Sequence, residues 1–205
     1  GRVRYLDLGF FAGAFFPGSE RVVLSEVLAP LARLRAPQSD KRTYGHLLVL
    51  GGSQDYPGAV LMTVLAALRS GVGLVTAFVP ESLVPGFAAR APEAMWVGCP
   101  VTPEGGIALE AESLIRRRLD RAQAWVIGPG LGREPETQAL VASVLKQSAV
   151  PVVLDADVLQ PELVGLGSAS RILTPHAGEF ARISGGRTDR KSTRLNSSHV
   201  KRSRM

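Results

Sequence analysis

At 205 residues and 45% hydrophobic, the chain is long enough for one domain with a sizeable core. No run approaches the roughly 18 apolar residues of a membrane span. A single cysteine, Cys99, excludes an internal disulfide and fits a reducing, cytoplasmic setting. The formal charge of +6 belongs to the end of the chain. Residues 187–205 hold seven Lys/Arg and one acid; the other 17 basic and 17 acidic residues cancel. A neutral body offers no electrostatic footprint for nucleic acid.

The chain opens at Gly1 with no initiator methionine and no signal-like segment, and is read as a fragment. Residues 3–8 suit a short strand. Phe10, Phe11, Phe15 and Phe16 follow, and a short helix over 19–34 has Ser19 as its cap. Residues 35–40 read as a linker. The body begins at Lys41-Arg42-Thr43-Tyr44-Gly45, and His46–Leu50 is an apolar strand running into Gly51-Gly52-Ser53. Val60, Leu61, Val64, Leu65 and Leu68 recur at helical spacing over 58–70, and Gly71 and Gly73 close that helix. Leu74–Val79 is apolar on both faces, as expected of a buried parallel strand. A helix over 81–90, a strand over 95–98 and a helix over 110–119 come next. Strand 124–127, helix 135–147, strand 150–154, helix 158–164, strand 171–173 and a helix from about Gly178 complete the body. Alternating strands and helices predict an α/β fold with a mostly parallel sheet covered on both faces. Residues 187–205 have almost no apolar content and no periodicity. They predict a disordered, non-native tail, resembling a translated sequencing adaptor; the rival reading is a basic arm for nucleic acid.

Four polar loops leave the carboxyl ends of predicted strands, at 51–58, 128–133, 155–157 and 174–179. In an open parallel sheet that edge binds ligands. Gly128-Pro129-Gly130-Leu131-Gly132 stands between a strand and a helix, where glycines let a ligand approach the backbone and a helix start offers N–H groups to an anion. Gly51-Gly52-Ser53 is not a Walker loop, because no Gly-Lys-Ser/Thr follows; it is either a tight turn or a backbone cradle, with Gly58 and Ala59 small enough to admit a ligand to the helix start. Asp155 and Asp157 would face the same way in an extended segment and could hold a metal or a ribose hydroxyl, or Asp157 could cap a helix. His176, behind rigid Pro175, is placed to donate to a phosphate or carboxamide. Glu179 suits the first turn of the last helix on dipole grounds alone. Cys99 reads as a packed thiol without a catalytic partner. There is no Ser/His/Asp order of the hydrolase kind and no Cys/His metal spacing.

These motifs, from Lys41–Gly45 through Tyr56-Pro57-Gly58-Ala59, Ala66–Thr76, Gly128–Gly132 and Leu154–Asp157 to Thr174–Glu179, are collinear over about residues 38–185 and resemble the NAD(P)H-hydrate dehydratase family. The resemblance implies a ribokinase-like three-layer α/β sandwich with a mostly parallel sheet, incomplete at the C-terminus. It implies ADP-dependent (or ATP-dependent) dehydration of NAD(P)H hydrate, with Mg2+ accompanying the nucleotide. The nucleotide phosphorylates the added hydroxyl, and elimination of the phosphate restores the nicotinamide. Ala59, Gly130 and His176 would contact the hydrated dinucleotide, while Gly128, Gly132, Asp155 and Asp157 shape the pocket. No metal ligand is assigned. The small-molecule substrate is the expected partner, with no nucleic acid and no membrane; a homo-oligomer is compatible with this. The family's Gly-x-Gly-Asp motif with its catalytic aspartate is absent from the 205 residues, so that aspartate and most of the nucleotide site are expected beyond residue 186, and the fragment is expected to be inactive alone. Residues 1–36 would be the remnant of a preceding epimerase domain and its linker, 37–186 a partial dehydratase domain and 187–205 the foreign tail. The alternatives are another ribokinase-like small-molecule kinase and a non-catalytic nucleotide-binding module.

Overall fold

The structure, a computed structural model, describes residues 37–184. The strand expected over 3–8, the helix over 19–34 and the tail over 187–205 lie outside the described residues. The elements below belong to the unit Ser39–Met205.

Among the described residues six strands alternate with six helices: β1 His46–Leu50, α1 Pro57–Arg69, β2 Leu74–Pro80, α2 Val84–Arg90, β3 Met95–Cys99, α3 Glu112–Arg116, β4 Ala124–Ile127, α4 Pro135–Gln147, β5 Val152–Leu154, α5 Pro161–Val164, β6 Arg171–Leu173 and α6 Ala177–Ile183. Most bounds fall within a residue or two of those read from periodicity. Proline accounts for two of the departures. The helix expected over 81–90 is a separate 3-10 turn, Glu81–Leu83, followed by α2, because Pro85 is tolerated only in a first turn. In the same way Pro161 opens α5, so the helix expected over 158–164 shrinks to its last turn behind a 3-10 turn at Ala156–Val158. The helix over 110–119 keeps its α-form only at Glu112–Arg116, with 3-10 turns on either side.

These six strands pair in parallel throughout, in the order β3-β2-β1-β4-β5-β6. The chain builds outward from β1 to β3, crosses back through α3 and builds outward again from β4. Side chains alternate between the two sheet faces. Leu48, Leu50, Phe78, Trp125, Ile127 and Leu154 pack under α3, α4 and α5 through Ile115, Leu140, Val144 and Leu163. Phe78 and Trp125 stack across β1 with ring centroids 5.9 Å apart. Val49, Val75, Ala77 and Val79 point the other way, against Val60 and Val64 of α1 and Phe87 of α2. This is a three-layer sandwich. Over β4–β6, however, the α1 face is open among the described residues. Ile172 is 63% exposed, and Val126 and Val153 are only half-buried. A cavity of about 590 Å3 runs there between the sheet and Thr63, Ala66 and Ala67 of α1.

Candidate functional site

The strand order decides where a ligand can enter. β1 and β4 are neighbours, but α1 leaves to one face of the sheet and α4 to the other, so the loops after these strands part and open a crevice. Backbone bonds fix its floor. Gly52 N–H donates to the Pro129 carbonyl (2.8 Å), Gly128 N–H to Leu50 (3.1 Å) and Asp155 N–H to Ile127 (3.1 Å). Buried Ser53 holds the first loop by accepting from Tyr56 N–H at 3.3 Å. A cavity of about 610 Å3 opens at this point, lined by Tyr56, Ala59, Gly130, Gly132, Arg133, Ala156 and Asp157.

Four of the residues singled out in the sequence are therefore together: Ala59, Gly130, Gly132 and Asp157. Gly130 has φ +69°, and a Cβ there would run into the Tyr56 carbonyl oxygen and crowd Ala59. Only glycine lets the two loops approach so closely. Gly128 lies beneath the cavity, where a Cβ would strike the Asp155 carbonyl oxygen. Its role is to let the β4 and β5 loops pack.

The two aspartates part company. Ala156 between them has φ +54°, a left-handed conformation that breaks the alternation of an extended segment. Asp155 accepts from Thr174 Oγ1 at 2.6 Å and borders the α1 cavity instead. Asp157 lies inside the 3-10 turn Ala156–Val158, whose cap position is held by Asp155 without a side-chain cap bond. Its Oδ2 accepts from Gly132 N–H at 3.1 Å and its Oδ1 from Arg133 Nε at 3.2 Å. The Arg133–Asp157 pair is part-exposed and adds only ~0–1 kcal/mol to stability. The bond uses only Nε, and Arg133 lines the cavity with its other guanidinium donors. Gln138 Nε2 donates to the Gly132 carbonyl (2.9 Å) and fixes the same loop from α4.

His176 stands at the same edge of the sheet, after β6, but is not among the residues lining this cavity. Its Nδ1 accepts from Gly178 N–H (3.0 Å) and, more weakly, from Glu179 N–H (3.4 Å), capping α6. That fixes the proton on Nε2, which lies 3.2 Å from Glu179 Oε1, while Glu179 Oε2 accepts from His176 N–H at 2.9 Å. Glu179 is buried by this reciprocal box, a stronger role than dipole preference alone.

The opening of α1 adds the electrostatics. The helix starts at Pro57 with no side-chain cap and no acidic residue in its first turn. Its first N–H groups have no partner inside the helix and carry the positive end of its dipole toward Tyr56 and Ala59. With Arg133 opposite, the cavity suits an anionic group. Tyr56, 60% exposed, adds an aromatic face at the rim. The sequence motifs assign no role to Tyr56 or Arg133, although each adjoins a glycine loop, the one signal that points to them. Cys99 is fully buried, and burial pushes its thiol up to about 12, so it has no part in nucleophilic chemistry. No described helix is long and apolar enough to cross a membrane.

Comparison with known proteins bears on the fold and the family. The family model described as NAD(P)H-hydrate dehydratase matches residues 47–204, running past the boundary near 186 expected from composition. An ADP-dependent (S)-NAD(P)H-hydrate dehydratase of Xanthomonas campestris is 38% identical over 152 residues, which make up 74% of this chain and 52% of that protein. A bifunctional NAD(P)H-hydrate repair enzyme of Thermosynechococcus vestitus is 42% identical over 153 residues, 73% of this chain and 29% of that protein. The chain thus spans from under a third to about half of the length of the curated relatives it matches. Among solved structures, a ribokinase-like superfamily protein of Enterococcus faecalis superposes with TM-score 0.68 at 26% identity, covering 86% of this chain and 62% of that one. The ADP/ATP-dependent NAD(P)H-hydrate dehydratase of Bacillus subtilis, co-crystallized with ATP/Mg2+, superposes with TM-score 0.61 at 32% identity, covering 79% and 55%. The fold is ribokinase-like, and on the extent of these matches the chain belongs to the NAD(P)H-hydrate dehydratase family.

Proposed function

We propose that this chain carries the substrate side of an ADP-dependent (S)-NAD(P)H-hydrate dehydratase, and that the crevice between β1 and β4 holds the hydrated dinucleotide. One observation carries the reading: the Ala59–Gly130 cavity sits at the switch point of the sheet, between an uncapped helix start and Arg133. A phosphate of the dinucleotide fits the first-turn N–H groups of α1 and the Arg133 guanidinium. Tyr56 offers a flat face to a ring. Gly130 and Gly132 keep the floor low enough for the ligand to meet backbone. Asp155 and His176 flank the crevice along the same edge, on the loops after β5 and β6. In the proposed reaction the nucleotide transfers a phosphoryl group to the substrate's added hydroxyl, and loss of phosphate restores the dihydronicotinamide ring.

The described residues do not fit a resident magnesium. No three His, Cys, Asp or Glu side chains converge among them, and Asp155 and Asp157 are committed to different neighbours. We assign no magnesium ligand on this chain. Nor does the sequence contain a Gly-x-Gly-Asp. A positioned base contributes ~10²–10⁴-fold to such a step, so the 205-residue chain should bind the hydrate but turn it over poorly. The test is to titrate the chain with NADH hydrate by calorimetry and to follow ADP-dependent recovery of NADH absorbance. Binding that is weakened by Arg133→Ala, without steady turnover, supports the reading. No binding defeats it, and steady turnover defeats the assignment of the base outside these residues.

A further inference from the structure

The Lys41-Arg42-Thr43-Tyr44-Gly45 stretch is part of the family resemblance, yet the crevice does not use it. It precedes β1 and so lies at the amino ends of the strands, across the sheet from the Ala59–Gly130 cavity. A separate cavity of about 580 Å3 opens there, at the first residues of β1, β2 and β3 and just before β4. Its polar lining is Lys41, Arg42, His46, Arg121 and Gln123, over an apolar floor of Leu74 and Met95.

This lining holds three cations from two segments far apart in sequence and no carboxylate. Local structure explains how they are held. Asp40, the acid next to Lys41 and Arg42, has its Oδ1 committed to a turn, accepting from Arg42 N–H (2.8 Å), Thr43 N–H (3.0 Å) and Thr43 Oγ1 (3.2 Å). It faces the Arg42 charge only as a weak additional influence. Gln123 Oε1 accepts from His46 N–H at 2.6 Å, and Gln123 N–H donates to the His46 carbonyl at 3.0 Å. This pair ties the Arg121 turn to β1 and leaves the Gln123 amide nitrogen as a donor. The Lys41, Arg42 and Arg121 side chains enter no ion pair among the described residues. His46 is buried, with Nε2 2.8 Å from Thr76 Oγ1.

We propose that this amino-edge cavity is a second anion site, which takes the phosphate groups of a small phosphorylated compound. A site rich in cationic donors and free of carboxylates is matched by an anion whose several oxygens accept from them. Arg42 and Arg121 give planar forks and Lys41 a point charge, the set suited to a di- or triphosphate. The local field agrees: burial first, and then Arg121, hold the His46 imidazole below its usual range. Leu74 and Met95 would contact an organic moiety attached to the phosphates.

The test uses the full chain, 15N-labelled, titrated separately with inorganic pyrophosphate and with ADP at fixed low ionic strength. The Gly45 amide and the Gln123 side-chain amide should shift and saturate with at least one of them. If pyrophosphate suffices, a free phosphate is the ligand; if ADP binds more tightly, a nucleotide is. The Lys41→Ala/Arg121→Ala variant should weaken binding about tenfold or more, equivalent to ~1.4 kcal/mol. Both side chains are exposed, so the rest of its amide spectrum should superpose on that of the parent. Arg133→Ala, in the crevice, should leave the Gly45 and Gln123 shifts as they were. Absence of shifts at Gly45 and Gln123 with both compounds overturns the proposal. So does unchanged affinity in the double variant, or an equal loss in an Arg69→Ala/Arg90→Ala control that removes two exposed cations elsewhere.

Discussion

Gly130 and Gly132 share a backbone conformation and differ in surroundings, which makes them a controlled pair. Their φ angles are +69° and +76°. An alanine in this left-handed region costs ~1–2 kcal/mol relative to glycine. At Gly132 nothing lies within 4 Å of the added Cβ, so that conformational cost is the whole expected effect. At Gly130 the Cβ would run into the Tyr56 carbonyl oxygen and sit 3.2 Å from the Ala59 and Tyr56 Cβ atoms. The first neighbour is backbone, fixed by the start of α1, and cannot swing aside. Overpacking of this kind adds ~1–3 kcal/mol. Gly130→Ala should therefore lose about 2–5 kcal/mol and Gly132→Ala about 1–2 kcal/mol. Urea unfolding followed by far-ultraviolet circular dichroism gives both values, provided the m-value is unchanged. Equal losses in the two variants would refute the claim that the β1 and β4 loops touch at Gly130.

Two further outcomes follow from single residues. Cys99 titrates near 12 in the folded chain, against 9.0 for a free thiol, so the unfolded chain releases its proton first as pH rises. The thiol's contribution to stability is then intact below pH 9 and falls away between about pH 9 and pH 12; Cys99→Ala should flatten that part of the stability profile, and the native thiol should resist a disulfide reagent until the chain is unfolded. His176→Asn keeps a side-chain acceptor at the start of α6 and should change stability by less than ~0.5 kcal/mol, whereas His176→Ala should lose ~1 kcal/mol; amide exchange at Gly178 and Glu179 reads the cap directly, and equal protection in both variants would show that the imidazole does not cap.

The sequence was most legible where one short-range rule acts alone. Strand β4 and helix α4 carry the bounds read from periodicity, because apolar residues at strand and helix spacing are what those elements bury. The crossover from β3 to β4 was not legible. It depends on which strands pair, a long-range choice that leaves no periodic trace, and it is what brings Ala59 next to Gly130. The aspartates failed for a narrower reason. Two residues apart predicts one direction only if the residue between is extended, and Ala156, an ordinary residue by composition, is not. Its left-handed backbone turns Asp157 to Gly132 and Arg133 and leaves Asp155 with Thr174. The same fact gives a test. Ala156→Gly removes the strain of the left-handed alanine but adds freedom to the unfolded chain, so it should be neutral to stabilising by up to ~1 kcal/mol. Ala156→Val places a β-branched residue where such residues are true outliers and should cost ~1–3 kcal/mol. It should also loosen the Asp157–Gly132 bond, seen as faster exchange of the Gly132 amide. If Ala156→Val were as stable as Ala156→Gly, with the Gly132 amide equally protected, the segment would be extended after all, and both carboxylates would face one way.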